Sequence, residues 1–322
     1  MKNFILLFSI LFIGTACSMK DGGHKSIFPH SIKAEPDEEQ ARGYVYHDIN
    51  GNKVMDGSEK GIAGVAVSNG SDIVQTNKQG EYEIPVSDDA MVFVIKPKDW
   101  MTPLNDENLP QFYYLHKPNG TPQNFTYQGA DPTGELPGQI NFPLYSEKGS
   151  EKFKMVVFGD PQPYNLEQVD FVAEDIVVEL IGRDDLEFGM TMGDIVGDNL
   201  DLFSPLNQAV SQIGIPWYNV MGNHDINYMA PNDILSDETY ESVYGPSTYA
   251  FVYGDVHFIV LDDIIHDSVA GSGRYVGGLR PDQMTFVSNY LQIVPKEDLV
   301  VLTMHIPLAQ HGESFRKSDQ KK

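Results

Sequence analysis

A single cysteine, Cys17, stands among 322 residues, so the chain can close no disulfide on itself. Cationic side chains are scarce as well: 22 Lys and Arg face 46 Asp and Glu, for a formal charge of -24 and a pI near 4.5. A surface of that sign repels a nucleic-acid backbone, and no local basic patch offsets it, so a DNA- or RNA-binding role is set aside. The apolar run from Phe4 to Ile13 is too short to cross a bilayer as a helix, which needs about 20 residues. What the chain does have is apolar material, 41% of its residues, enough for a sizeable core, and a length that suggests about two domains. Its 20 prolines, 29 glycines and 11% aromatics fit a loop-rich β or α/β protein.

The first residues read as an address. Lys2 precedes the apolar run, small residues Gly14-Thr15-Ala16 follow it, and Cys17 comes directly after. These are the three parts of a secretory signal. The ending resembles a bacterial lipoprotein signal, which implies a lipidated Cys17, a membrane anchor and a periplasmic or outer-membrane place in the cell envelope. Plain secretion with an incidental cysteine is the alternative. Residues 18–40, with Gly22-Gly23 and the acidic run Glu35-Pro36-Asp37-Glu38-Glu39, read as a flexible tether.

From residue 41 to about 100, short β-branched and aromatic runs recur at close, turn-rich spacing: Gly43–Tyr46, Ala63–Val67, Asp72–Thr76, Gly80–Ile84 and Met91–Ile95. That rhythm predicts a small β-sandwich. Residues 101–150 carry seven prolines and read as an extended strap, which takes the first unit to residue 150. Inside the sandwich, Asp48, Asn50, Asn52, Asp56 and Glu59 occupy the first, third, fifth, ninth and twelfth places of a calcium-type loop, with the Val54 carbonyl as a further donor. Lys53 stands at the sixth place, where an EF-hand has Gly, and no flanking helices are evident. The same residues also suit a polar turn held by Asn and Asp side chains.

The second half, residues 151–322, places four polar blocks after strand-like runs. Gly159-Asp160-Pro161-Gln162 follows Met155–Phe158, and Gly193-Asp194 through Asp198-Asn199 follows Phe188–Met192. Gly222-Asn223-His224-Asp225 follows Pro216–Met221, and Met304-His305-Ile306-Pro307 follows Leu299–Thr303. Ligands gather at the carboxyl ends of strands in open α/β sheets, so donors far apart in sequence converge there.

At these blocks the chain resembles the calcineurin-like metallophosphoesterase superfamily, over roughly residues 153 to 311. The resemblance implies an α/β fold: a calcineurin-like α/β sandwich after the small all-β sandwich, which is itself similar to the N-terminal domain of some such enzymes and to extracellular repeats of bacterial surface proteins. It implies two divalent ions among manganese, iron, magnesium and zinc. Asp160 and Gln162 would bind the first, Asp194 would bridge, and Asn223 and His305 would bind the second. His224 would touch the substrate phosphate and protonate the leaving alkoxide, and Asp198 is the candidate to orient it. The implied reaction is hydrolysis of a phosphomono- or phosphodiester by a metal-bridging hydroxide.

Three departures from the family pattern stand out. Gln162 replaces the usual His, leaving oxygen donors alone in the first site and favouring manganese over zinc. Asp198 lies one residue further from Asp194 than in the commonest version. The closing Gly-His-x-His block is absent before Lys322, and His311-Gly312-Glu313 has the wrong order for it. The chain therefore reads as truncated, with a catalytic sandwich incomplete at its C-terminus, weak metal binding and weak activity expected. The alternative is a non-enzymatic surface-binding lipoprotein whose phosphoesterase domain is dead.

Other residues read as structural. His257 belongs to a strand and is expected to pack. Asp262 and Asp263 end that strand and are candidates to sit near the site, though turn chemistry suffices for them, and Arg274 and Arg280 could reach a substrate phosphate but read as solvated loop arginines. Pro281–Val294 predicts an amphipathic helix with Met284, Val287, Tyr290 and Leu291 on its core stripe.

Overall fold

Period-two alternation builds the N-terminal half. In the computed structural model, which describes residues 39–122, 125–266 and 275–308, eight strands precede residue 150. They are β1 (Glu39–His47), β2 (Ala66–Ser68), β3 (Ile73–Gln75), β4 (Glu81–Val86), β5 (Ala90–Val94), β6 (Trp100–Met101), β7 (Tyr113–His116) and β8 (Phe142–Ser146). Within β4, Tyr82, Ile84 and Val86 are buried while Glu81 and Glu83 face water, as a half-buried strand requires. Two four-stranded sheets result, ordered β4-β1-β8-β6 and β3-β2-β5-β7. The proline-rich stretch read as a strap therefore supplies a strand to each sheet. Cys17, nearly all of the tether, Arg274 and His311 lie outside the described residues.

The second half adds β9 (Met155–Phe158), α1 (Leu166–Asp175), β10 (Phe188–Met192), α2 (Phe203–Val210), β11 (Trp217–Val220), α3 (Glu238–Tyr244), β12 (Tyr249–Tyr253), β13 (Val256–Val260), β14 (Ile264–His266), β15 (Tyr275–Gly277), α4 (Pro281–Leu291) and β16 (Leu299–Thr303). Strands β9, β10 and β11 form a parallel sheet, with α1 and α2 as the crossovers that parallel pairing needs. Asn165 caps α1, its side-chain oxygen accepting from the Gln168 amide at 3.0 Å. In the other sheet β13 pairs antiparallel with β12 and parallel with β16. The fold is α/β, with mixed sheets and few helices behind an N-terminal β region.

One apolar cluster runs through both halves, joining Val45 and Phe93 of the first to Phe188, Tyr218 and Phe258 of the second. Aromatic contacts carry the junction: Phe93 lies 5.9 Å from Phe286 and Phe112 lies 5.1 Å from Tyr249, centroid to centroid. The described residues, from 39 to 308, fall in a single compact unit.

Helix α4 forms where expected, and Val287 and Tyr290 of the expected stripe pack on the core, but the helix is rotated from the rest of it. Gln283, Phe286 and Tyr290 are buried, whereas Met284 and Leu291 are about half exposed. The rotation follows from its N-terminus: Pro281 opens the helix and Gln283 accepts from the Arg280 amide while donating to Thr248 and to the Asp262 carbonyl. That anchor aims Phe286 at Phe93. His257 is buried as expected, held between Tyr290 at 2.7 Å and Asp298 at 3.0 Å.

Candidate metal centre

All four polar blocks begin where a strand ends, and parallel pairing brings three of those ends side by side. Block one leaves β9, block two leaves β10 and block three leaves β11. The fourth leaves β16 in the neighbouring sheet and meets them through His305, whose Nδ1 donates to the Met192 carbonyl at 2.9 Å. Glycine makes the approach possible. A Cβ at Gly222 would overlap the Asp194 amide, and one at Gly193 would overlap the His305 ring.

Donor atoms of Asp160, Asp194 and His305 lie within 4.8 Å of one another. Asp194 sits in the middle. Its Oδ1 accepts from the His224 amide at 3.0 Å and lies 3.3 Å from His305 Nε2, while Oδ2 accepts from Gln162 Nε2 at 3.3 Å. Asn223 Oδ1 completes that side, 3.2 Å from His305 Nε2. One carboxylate with an oxygen toward each flank suits the bridging position, and the five residues read as metal ligands in the sequence are brought together.

The backbone is strained at this spot. Asp160, Gln162, Asp194 and Asp198 have φ of 45°, 44°, 47° and 63°, in the left-handed region that side chains other than glycine rarely adopt. Each such residue costs on the order of 1–3 kcal/mol, and a fold sustains four together only where its surroundings hold them. The two turns bring Asp160 and Gln162 against Asp194, and Asp198 against His224. This donor set of carboxylates, amide oxygens and one imidazole fits divalent cations.

Burial lowers the His305 pKa, but the bonds to Asp194 and to the Met192 carbonyl outweigh it and push the imidazole up to about 9. Burial raises Asp194, yet His305 and the His224 amide hold its carboxyl below the usual range.

His224 stands beside the cluster with Nδ1 2.7 Å from Asp198 Oδ1, an orienting pair despite the longer spacing. Its Nε2 is left 3.9 Å from Asp194 Oδ2. The Tyr164 ring meets the imidazole edge-on at 6.3 Å.

Two carboxylates brace the site: Asp225, to which the sequence reading gave no role, and Asp263, which it weighed as a neighbour of the site and left to turn chemistry. Asp225 is fully buried and accepts the amides of Ile195, Val196 and Gly222 at 3.1, 3.1 and 2.8 Å, tying block two to block three. Burial pushes its pKa up to about 7 against the pull of those three donors. Asp263 does the same for block four, accepting from the amides of His305 and Ile306 at 3.2 and 3.0 Å. Tyr228, whose hydroxyl donates to the Asn223 carbonyl at 2.7 Å, was also unforeseen. Arg280 is no solvated loop arginine: it pairs with Asp262 at 2.9 Å and Asp233 at 3.3 Å.

The calcium-type loop closes on its own hydrogen bonds. Asp48 accepts the Gly51 and Lys53 amides, Glu59 accepts those of Ile49 and Asp56, and Asp56 accepts from the Asn50 and Asn52 side chains. Lys53 adopts a φ of 62°, the left-handed turn that glycine makes in an EF-hand.

A family model described as the N terminal of calcineurin-like phosphoesterase matches residues 47–130. No curated protein matches the chain. Among solved structures it is similar to the purple acid phosphatase PPD1 isolated from yellow lupin (Lupinus luteus) seeds, at 11% identity and a TM-score of 0.32. That likeness covers 76% of this chain and 47% of the lupin one, so the chain spans about half that protein's length.

Proposed function

We propose that this chain, whose residues 47–130 match the N terminal of calcineurin-like phosphoesterase, is a calcineurin-like metallophosphoesterase that hydrolyses a phosphate mono- or diester with two divalent ions held at the Asp194 cluster. The observation that carries the reading is the imidazole of His224, oriented by Asp198 at 2.7 Å, beside a carboxylate shared between two sets of donors. Asp160, Gln162 and Asp194 would hold one ion, and Asp194, Asn223 and His305 the other. Bound there, the pair would acidify the attacking water and neutralise charge on the phosphate. Asn223 contributes an oxygen without adding negative charge to a site that must accept an anion. Asp198 holds His224 Nδ1 at 2.7 Å and so orients Nε2, from which a proton would pass to the leaving oxygen.

The test is a leaving-group series in the presence of manganese. His224→Asn is expected to slow alkyl phosphodiesters about 100-fold, and bis(p-nitrophenyl) phosphate by less than about 10-fold, because nitrophenolate departs without a proton. Asp194→Asn should abolish both. A uniform loss across leaving groups in His224→Asn would remove the proton-donor role. Wild-type protein that binds metal yet turns over neither ester would favour the non-enzymatic surface protein.

Metal choice follows from Gln162. An oxygen-only first site is expected to support activity with manganese over zinc, and Gln162→His to move the preference toward zinc. Equal rates with both metals, before and after the substitution, would sink this.

We also place the protein at the cell envelope on a lipid carried by Cys17, a reading that rests on the signal-like residues 2–17. Cys17→Ser is expected to shift the protein from the membrane to the soluble fraction and to abolish fatty-acid labelling. Unchanged fractionation and no label in the wild type would remove the anchor. Among the described residues, no helix is long and apolar enough to cross a membrane.

A further inference from the structure

A second group of metal-ligating side chains lies at the rim of the N-terminal sandwich. Glu39 opens β1 opposite Val86 at the end of β4, and His116 ends β7 opposite Ala90 at the start of β5. The turn between those two pairs carries Asp88 from one sheet to the other. Register therefore delivers three residues from separate places to one spot. One donor atom from each lies within 4.8 Å of the other two.

His116 makes this more than an acidic corner. It is 1% exposed, and neither ring nitrogen has a hydrogen-bond partner among the described residues. A buried imidazole left in that state forfeits about 1–3 kcal/mol, and native folds seldom leave it so. Its Nε2 faces Glu39 Oε2 at 3.8 Å, too long for a hydrogen bond. Two ligands bonded at about 2.1 Å to one tetrahedral ion stand roughly 3.4 Å apart, so a small adjustment brings this pair to ligating distance. The neighbouring cation is engaged elsewhere, since Lys117 pairs with Asp89 at 3.0 Å and with Glu238.

We propose that His116 Nε2 and one carboxylate oxygen each from Glu39 and Asp88 bind a divalent transition-metal ion, zinc by preference, with water completing its coordination. An imidazole with two carboxylates is a donor set that zinc accepts, in contrast to the oxygen-rich set around Gln162. The ion links β1 of one sheet to β7 of the other and to the turn between them. It stabilises the folded sandwich by binding it alone.

Zinc content and thermal unfolding of the full chain, stripped by chelator and then titrated with zinc, test this in the wild type and in Glu39→Gln, Asp88→Asn and His116→Gln. Wild-type protein is expected to hold one zinc more per chain than each variant, whatever the Asp194 cluster retains. Zinc should raise its melting temperature further than theirs, and in crystals soaked with zinc an anomalous peak should lie among the three residues. Glu39 and Asp88 are exposed, so their variants decide the matter if His116→Gln fails to fold. Equal zinc content in all four proteins overturns the site. So does a loss of stability in Glu39→Gln that is the same with and without zinc, which would make the cluster an ordinary ion pair.

Discussion

Replacing Asp225 by alanine is expected to lower the unfolding free energy by about 4 kcal/mol or more, among the largest effects of any single change in the chain. Three backbone amides, those of Ile195, Val196 and Gly222, lose their acceptor together in a place that water does not reach. Each unsatisfied buried donor costs about 1–3 kcal/mol, and the loops carrying Asp194 and Asn223 separate when their shared acceptor goes. Asp225→Asn keeps the volume and one oxygen, so its loss should be about half as large. Denaturant midpoints with unchanged slopes provide the measurement. A drop under about 1 kcal/mol in the alanine variant would show that water or another acceptor takes over, and the tying role would be lost.

Arg280→Met is the second large change. The guanidinium pairs with Asp262, whose side chain is 1% exposed, and with Asp233, while Asp237 adds further negative charge nearby. Removing one partner of a buried pair costs about 3–5 kcal/mol, because the remaining charge stays buried alone. The penalty should depend on pH in a definite direction. Burial, partly countered by Arg280, already holds Asp262 up at about 6, against about 3.9 in an unfolded chain. The folded state thus binds this proton more tightly, so its contribution favours folding at low pH and is lost as pH rises through the folded value. With the cation gone the folded value climbs further, and the variant's deficit should be larger at pH 8 than at pH 5. Adding Asp262→Asn should recover part of the loss at pH 8. A deficit that does not change with pH would mean lost packing by the arginine stem, and no stranded charge.

Much of the frame was legible because strands and glycine-bounded loops leave local traces. Met155–Phe158, Phe188–Met192 and Leu299–Thr303 form strands with the limits that their apolar runs give, and the polar blocks after them converge. What escaped were residues whose role is to face backbone. An Asp that accepts two amides from a neighbouring loop and one from its own looks, in sequence, like an Asp in a turn, and so the bracing roles of Asp225 and Asp263 left no trace there. Prolines misled in the stretch before residue 150. Pro143 lies inside β8, where β6 pairs only at Tyr145 and Ser146, so it interrupts no ladder on that side. The face of α4 was read from apolar spacing, whereas a polar anchor at Gln283 set its rotation. Arg280 could not be told from a solvated arginine, since its acidic partners come from separate segments of the chain.

The left-handed turns at Asp160, Gln162, Asp194 and Asp198 also decide which variants a lineage can sample. Val, Ile and Thr are barred there by sterics, while Asn, Asp and His tolerate such backbone better than most residues. Histidine can enter at position 162 without a new loop having to evolve around it, and codons for glutamine and histidine differ only in the third base. The scaffold keeps its shape while a point mutation exchanges amide for imidazole. On the proposed function, cation preference would be a trait that can drift with the metals the protein's surroundings supply.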